Sequence, residues 1–322
     1  MKGICKTIVL LLALFASFVL AQAPKQKMVI GTGVDPIFAA FYIAKGAGIF
    51  EKNGLDVQLN TGPSGSAMVS FLIKNQSQAA FGGEQAGLQN FNLDRNVVLA
   101  AQAATADRWW GIVGHNVSSL DELKGKKVGV ALGSGSEVFW LAVVEKLKLN
   151  AKDYTVVNVE GPEMIAAMER GDIDAIVAWE PWITRALKAI PKTKIVQNNV
   201  GIILPRVDVY LNREWAEKNP AAADAFMRSL VEATAMTRTD RAVAARYVAA
   251  ALKLDVPLTE SLMDKLTYDI VLDQASIDYL KTIEAQVKAS GKLAKPIDWN
   301  AFVYSDPLRR VAPEKVTYSS SK

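Results

Sequence analysis

Between residue 28 and about residue 197, short apolar runs alternate with stretches whose apolar positions recur at helical spacing. The runs predict strands over 28–34, 56–59, 79–81, 97–102, 127–131, 155–159, 175–178 and 194–196. The periodic stretches predict helices over 38–50, 66–74, 85–92, 137–148, 162–170 and 181–189. Strands alternating with helices in this way form open, mostly parallel sheets flanked by helices, an α/β architecture. Two further strands break the rhythm. Trp-Gly-Ile-Val-Gly-His at 110–115 runs into a polar turn, and Val-Asp-Val-Tyr-Leu at 207–211 follows a proline and leads into a helix-rich tail. They read as the passages into and out of a second lobe. The tail predicts amphipathic helices over 221–237, 241–252 and 274–290.

An internal repeat supports two similar lobes. Lys74-Asn75-Gln76-Ser77-Gln78-Ala79-Ala80-Phe81-Gly82-Gly83 parallels Arg170-Gly171-Asp172-Ile173-Asp174-Ala175-Ile176-Val177-Ala178-Trp179. Each copy reads as helix end, tight turn, strand and loop, with Gly171 and Asn75 suited to a left-handed position just past the helix. The expected division is 24–112 with 206–322 in one lobe and 113–205 in the other.

The first residues change the compartment. Lys2 and Lys6 precede an apolar run from Ile8 to Leu20 and then Ala21-Gln22-Ala23, the pattern of a signal peptide cleaved after Ala23. The run is short of the roughly 20 residues that span a bilayer. The single cysteine, Cys5, lies within this leader, so the mature chain is expected to carry no thiol, and the bacterial periplasm is the expected address. Without the leader the chain keeps 35 basic against 33 acidic residues, a balance of +2 with no basic run of the kind that binds nucleic acid.

Candidate chemistry gathers where strands end. Val34-Asp35-Pro36, Gly62-Pro63-Ser64-Gly65-Ser66, Gly82-Gly83-Glu84, Gly133-Ser134-Gly135-Ser136-Glu137 and Trp179-Glu180-Pro181-Trp182 each connect a predicted strand to a predicted helix. Asp35 is placed to cap a helix and Pro36 to open it. Ligands of open α/β sheets bind at the carboxyl ends of the strands, and helix N-termini there offer free N–H groups and positive partial charge. Glycine lets a ligand approach the backbone, and Ser64, Ser66, Ser134 and Ser136 add hydroxyls. The set points to a receptor for an anion such as sulfonate, nitrate or carboxylate, with no metal. Taken singly, each junction reads first as an ordinary cap or turn; five of one type, split between two lobes, favour a shared function.

Phe38, Tyr42, Trp109, Trp110, Trp179 and Trp182 lie on or beside these loops and are candidates either to enclose a solute or to pack in the core. Arg108 and Arg206 sit at the two passages, where they face an anion or form surface ion pairs. Glu84 and Glu180 either receive an ammonium or cap helices. Gly133-x-Gly135 and Gly31-x-Gly33 lack the remainder of a nucleotide-binding fingerprint. The lone histidine, His115, has no second histidine or mature cysteine to join, which excludes a zinc site and a Cys–His nucleophile.

In these residues the chain resembles the nitrate/sulfonate/taurine-type substrate-binding proteins of ABC importers. The resemblance is carried by Ala47-Gly48-Ile49-Phe50-Glu51-Lys52-Asn53-Gly54-Leu55, Gly62-Pro63-Ser64-Gly65 and Phe81-Gly82-Gly83. It continues through Leu120-Asp121-Glu122-Leu123-Lys124-Gly125-Lys126-Lys127-Val128-Gly129, Gly133-Ser134-Gly135-Ser136, Gly171-Asp172-Ile173-Asp174-Ala175 and Trp179-Glu180-Pro181-Trp182. It implies a two-lobed, type II-like periplasmic-binding-protein fold with a two-strand hinge. It implies a monomer that closes on a small solute and docks on a permease with its ATPase, without cofactor or catalysis. The family's ligand-contacting positions correspond to Asp35, Phe38, Ser64 to Ser66, Gly83, Glu84, Ser134 to Glu137, and Trp179 to Trp182. Asn75-Gln76-Ser77-Gln78 departs from the Gly-x-x-Asp that relatives often carry, which bears on the identity of the ligand. The Trp109-Trp110 pair points to a larger or aromatic solute. A sulfonate-like organic anion is the expected ligand. The alternatives are a heteroaromatic solute such as a thiamine-type pyrimidine, and an enzyme related to pyrimidine synthesis.

Overall fold

A computed structural model describes residues 24–319. The expected leader, with Cys5 and the cleavage after Ala23, lies outside the described residues, and among those described no helix is long and apolar enough to cross a membrane.

Among the described residues, eleven strands form two sheets. In chain order they are β1 (Gln26–Thr32), β2 (Leu55–Thr61), β3 (Ala79–Gly82), β4 (Val97–Ala106), β5 (Trp110–His115) and β6 (Lys127–Val130). They continue with β7 (Thr155–Asn158), β8 (Ala175–Trp179), β9 (Thr193–Asn198), β10 (Arg206–Asn212) and β11 (Leu266–Val271). The first sheet runs β11-β4-β10-β3-β1-β2 and the second β7-β6-β8-β5-β9. Set end to end, β4-β10-β3-β1-β2 and β9-β5-β8-β6-β7 are the same arrangement, with β11 added at one edge.

Both sheets are mixed. β1, β2 and β3 pair in parallel, as do β6, β7 and β8. The reversed strands are β10 and β11 in the first sheet and β5 in the second. β5 and β10 are the two that broke the sequence rhythm. The chain passes from β4 to β5 through 107–109 and returns from β9 to β10 through 199–205. Residues 110–112, assigned from sequence to the first lobe, are therefore strand residues of the second sheet.

The repeat has a structural counterpart. Asn75 and Gly171 both adopt left-handed backbone, with φ of 53° and 76°. The turns close identically, Gln76 N–H donating to Phe71 O and Asp172 N–H to Ala167 O. Gln78 Oε1 then accepts from Val29 N–H at 2.7 Å, as Asp174 Oδ2 accepts from Lys127 N–H at 2.9 Å. Both bonds come from the residue just before a parallel strand, Gln78 before β3 and Asp174 before β8. The departure at Gln78 thus serves the sheet and lies at the opposite end from the junctions at the strands' carboxyl ends.

The predicted helix 38–50 is interrupted. Pro36–Phe38 forms one turn of 3₁₀-helix, Ala39–Gly46 follows, and Gly48 at φ 69° separates it from Ile49–Lys52. Phe41 from this segment packs in tilted geometry against Phe81 of β3, with centroids 3.6 Å apart, and against Phe226 of the long helix Pro220–Thr239. The tail contributes Gln274–Ala289, Val256–Met263 and the edge strand β11, the last two unforeseen from sequence.

Candidate functional site

Five strand-to-helix junctions line one cleft where the carboxyl ends of the two parallel triplets meet. Those after β1, β2 and β3 come from the first lobe. Those after β6 and β8 come from the second, and the junction after β7 packs behind Trp179. Between them lies a narrow cleft lined by Asp35, Ile37, Phe38, Ser64, Gly65, Ser66, Gly83, Trp109, Trp110, Ser134, Gly135, Trp179, Arg206 and Val207. Its free volume is about 40 Å³, against about 10–15 Å³ needed for one water, which is room for a few waters and too little for a solute of several heavy atoms.

The helix N-termini supply its donors. Ser64 caps Gly65–Ile73 by accepting from Ala67 N–H at 3.2 Å, and Ser134 caps Gly135–Lys146 by accepting from Ser136 N–H at 3.1 Å. The amides of Gly65, Ser66 and Gly135 have no protein acceptor among the described residues. Gly83 and Gly135 approach across the cleft, a Cβ on Gly83 lying 3.4 Å from Gly135 N. The hydroxyls divide differently from expectation. Those of Ser64 and Ser66 only accept, from Ala67 N–H and Gly83 N–H, which leaves their protons for a solute. Ser134 donates to Ala131 O at 2.7 Å. Ser136 donates to Val177 O at 2.5 Å and accepts from Ala131 N–H, so it binds β6 to β8 and does not line the cleft.

The glycines also differ from expectation. A Cβ on Gly65 would lie 2.6 Å from both Phe38 Cζ and the Phe81 carbonyl, and one on Gly135 would enter the Trp110 ring. In each lobe an aromatic ring covers the glycine that opens the helix, so the close approach is by protein. Gly161, at the junction after β7, similarly seats the indoles of Trp179 and Trp182. Trp182 is buried there beneath the Arg185 guanidinium, 4.8 Å from the ring, and does not line the cleft.

Four ionisable groups lie in or behind the cleft. Asp35, 3% exposed, accepts from Ile37 N–H at 3.1 Å and from Trp179 Nε1 across the cleft at 3.1 Å. Loss of hydration outweighs these two bonds and pushes its carboxyl up to about 8. Burial therefore favours the protonated carboxyl at neutral pH. Arg206, at the start of β10, donates through Nη1 to Gln102 at 2.5 Å and Ser276 at 3.4 Å, its guanidinium over the Tyr279 ring. Glu84 lies behind the cleft, accepting from Arg206 N–H at 3.1 Å. Burial pushes Glu84 up to about 7, and burial with the neighbouring Glu84 charge holds Asp208 well above the usual carboxylate range.

Three other expected residues do not line the cleft. Arg108 sits exposed on the 107–109 passage at φ 49°. Glu137 and Glu180 point to lysines of the first lobe, Lys292 and Lys265. Ile37 and Val207 line the cleft without having been singled out, and Trp109, 1% exposed, is part of its wall. His115 is bonded to Asn116 at the far end of β5. Among the described residues no group of three or more His, Cys, Asp and Glu side chains could hold a metal.

The family model "NMT1/THI5 like" matches residues 35–242. Over 124 residues the chain is 32% identical to the taurine-binding periplasmic protein of Escherichia coli K12, a match spanning 38% of this chain and 38% of that relative. The alkanesulfonate-binding protein SsuA from Xanthomonas axonopodis pv. citri, solved with MOPS, superimposes with a TM-score of 0.77 at 18% identity, covering 88% of this chain and 99% of that one. The desulfurization enzyme DSZB shares the fold at a TM-score of 0.67 and 14% identity, covering 90% and 99%.

Proposed function

This chain belongs to the NMT1/THI5-like family, and on that premise we propose that it is the periplasmic solute-binding component of an ABC importer, capturing a small sulfonate-like organic anion between its lobes. One observation carries the reading: the unpartnered amides of Gly65, Ser66 and Gly135 come from opposing lobes and meet in one cleft. Helix N-termini bind anions through such amides and the aligned peptide dipoles. The Ser64 and Ser66 hydroxyls, the proton of Asp35 and the Arg206 guanidinium add donors for the anion's remaining oxygens. Phe38, Trp110 and Trp179 enclose its apolar part. The closed lobes, acting as a monomer, then present one surface to the permease and its ATPase.

A heteroaromatic solute is the second reading, favoured by the four aromatic rings of Phe38, Trp109, Trp110 and Trp179 in the same cleft. Capture is favoured over turnover because the lining offers neither histidine nor cysteine as nucleophile or base. A thermal-shift panel of alkanesulfonates, taurine, aromatic sulfonates, carboxylates, amines and pyrimidines tests the proposal. A true ligand at a hundredfold excess over its dissociation constant stabilises by about 2.7 kcal/mol. A shift by sulfonates supports the anion reading and a shift by pyrimidines alone replaces it. No shift by any of them contradicts capture in this cleft.

A further inference from the structure

Two carboxylates of the second lobe repeat one arrangement. Glu137 and Glu180 each stand at a cleft junction and are nearly buried, with side chains 6% and 4% exposed. Each gives one oxygen to its own loop. Glu137 Oε2 accepts from Gly133 N–H at 2.8 Å, beside Ser134 and Gly135, and also from Gln85 Nε2 of the first lobe at 2.8 Å. Glu180 Oε2 accepts from Thr184 N–H at 3.1 Å, beside Trp179. Each gives its other oxygen to a lysine of the first lobe: Glu137 to Lys292, and Glu180 to Lys265 at 2.7 Å.

Both lysines belong to the tail, beyond the segment at 35–242 that matches the family model. Lys265 follows the helix Val256–Met263 and Lys292 follows the helix Gln274–Ala289. A nearly buried carboxylate needs a counter-charge, and in each case that charge comes from the facing lobe. Resting on the reading of this cleft as the binding site, we infer that Lys265 and Lys292 are positioning residues: through Glu180 and Glu137 they hold the two solute-facing loops of the second lobe in their closed register. Opening the cleft rehydrates both carboxylates and exchanges two interlobe ion pairs for water. The lysines are 34% exposed, so salt weakens the pairs and lowers the closed population.

The experiment is done without solute, which separates this inference from the identity of the ligand. The double variant Lys265→Met/Lys292→Met, the matching Lys→Arg double variant and the unaltered protein are compared at low salt. Small-angle X-ray scattering reports the radius of gyration, and amide hydrogen exchange reports Gly133 and Thr184. The Met variant is expected to expand and to exchange at these amides roughly tenfold faster. The Arg variant stays near the parent, and high salt moves the parent toward the Met variant. Melting followed by far-ultraviolet circular dichroism separates opening from loss of fold. Unchanged scattering and exchange in the Met variant would overturn the inference, as would Arg and Met variants that behave alike.

Discussion

Asp35 Oδ2 of the first lobe accepts a hydrogen bond of 3.1 Å from Trp179 Nε1 of the second, joining residues 144 apart in the chain across the cleft. Closure therefore buries a carboxyl group, and a buried carboxyl is most easily accommodated with its proton on.

The sign of the pH dependence follows. The folded closed form keeps the Asp35 proton to about pH 8, whereas the unfolded chain releases it near the ordinary carboxylate value of about 3.9. Between these values unfolding releases a proton, so stability falls as pH rises. Glu84, pushed up to about 7, contributes in the same direction. Melting temperatures at pH 5 and pH 8 are expected to be higher at pH 5, and Asp35→Asn is expected to shrink the difference. A parent protein with no such slope, or an Asp35→Asn variant that keeps all of it, contradicts the assignment.

The covered glycines make a second prediction. Gly65→Ala drives a methyl against the Phe81 carbonyl and Phe38, and Gly135→Ala drives one into Trp110. Overpacking of this kind costs about 1–3 kcal/mol, a fall of roughly 2–10 °C in Tm for a chain of this size. Differential scanning calorimetry reads it, and both variants are expected to bind the panel's best ligand more weakly because the ring that moves lines the cleft. Melting temperatures equal to the parent's would place the rings elsewhere.

Arg206 carries the third. Arg206→Gln removes a charged donor from the cleft, and hydrogen bonds to charged groups contribute about 1.5–3 kcal/mol. Calorimetric titration with the sulfonate that gives the largest thermal shift is expected to show affinity lower by roughly one to two orders of magnitude. Equal affinity would mean that the guanidinium serves only Gln102 and Ser276.

Much of this was legible in the residues. Strand–helix alternation exposed both parallel triplets, and Asn75 and Gly171 marked equivalent helix ends because few residues tolerate left-handed backbone there. Edge strand β11 was missed although Leu266, Tyr268 and Ile270 alternate with polar neighbours, because strongly helical sequence surrounds it. The junction at Val159-Glu160-Gly161-Pro162 escaped notice although Gly161-Pro162 repeats Gly62-Pro63. The directions of Ser136, Glu137 and Glu180 were beyond reach. Each is a polar residue at a helix start, and which neighbour takes its bonds depends on packing between segments far apart in sequence.

In the proposed complex, backbone donors from both lobes grip one anion. Amide ¹H–¹⁵N shifts recorded during titration with the best sulfonate test it most directly. The Gly65, Ser66 and Gly135 signals are expected to move together to one common saturation point. Shifts confined to one lobe, or saturating at different concentrations in the two, would contradict it.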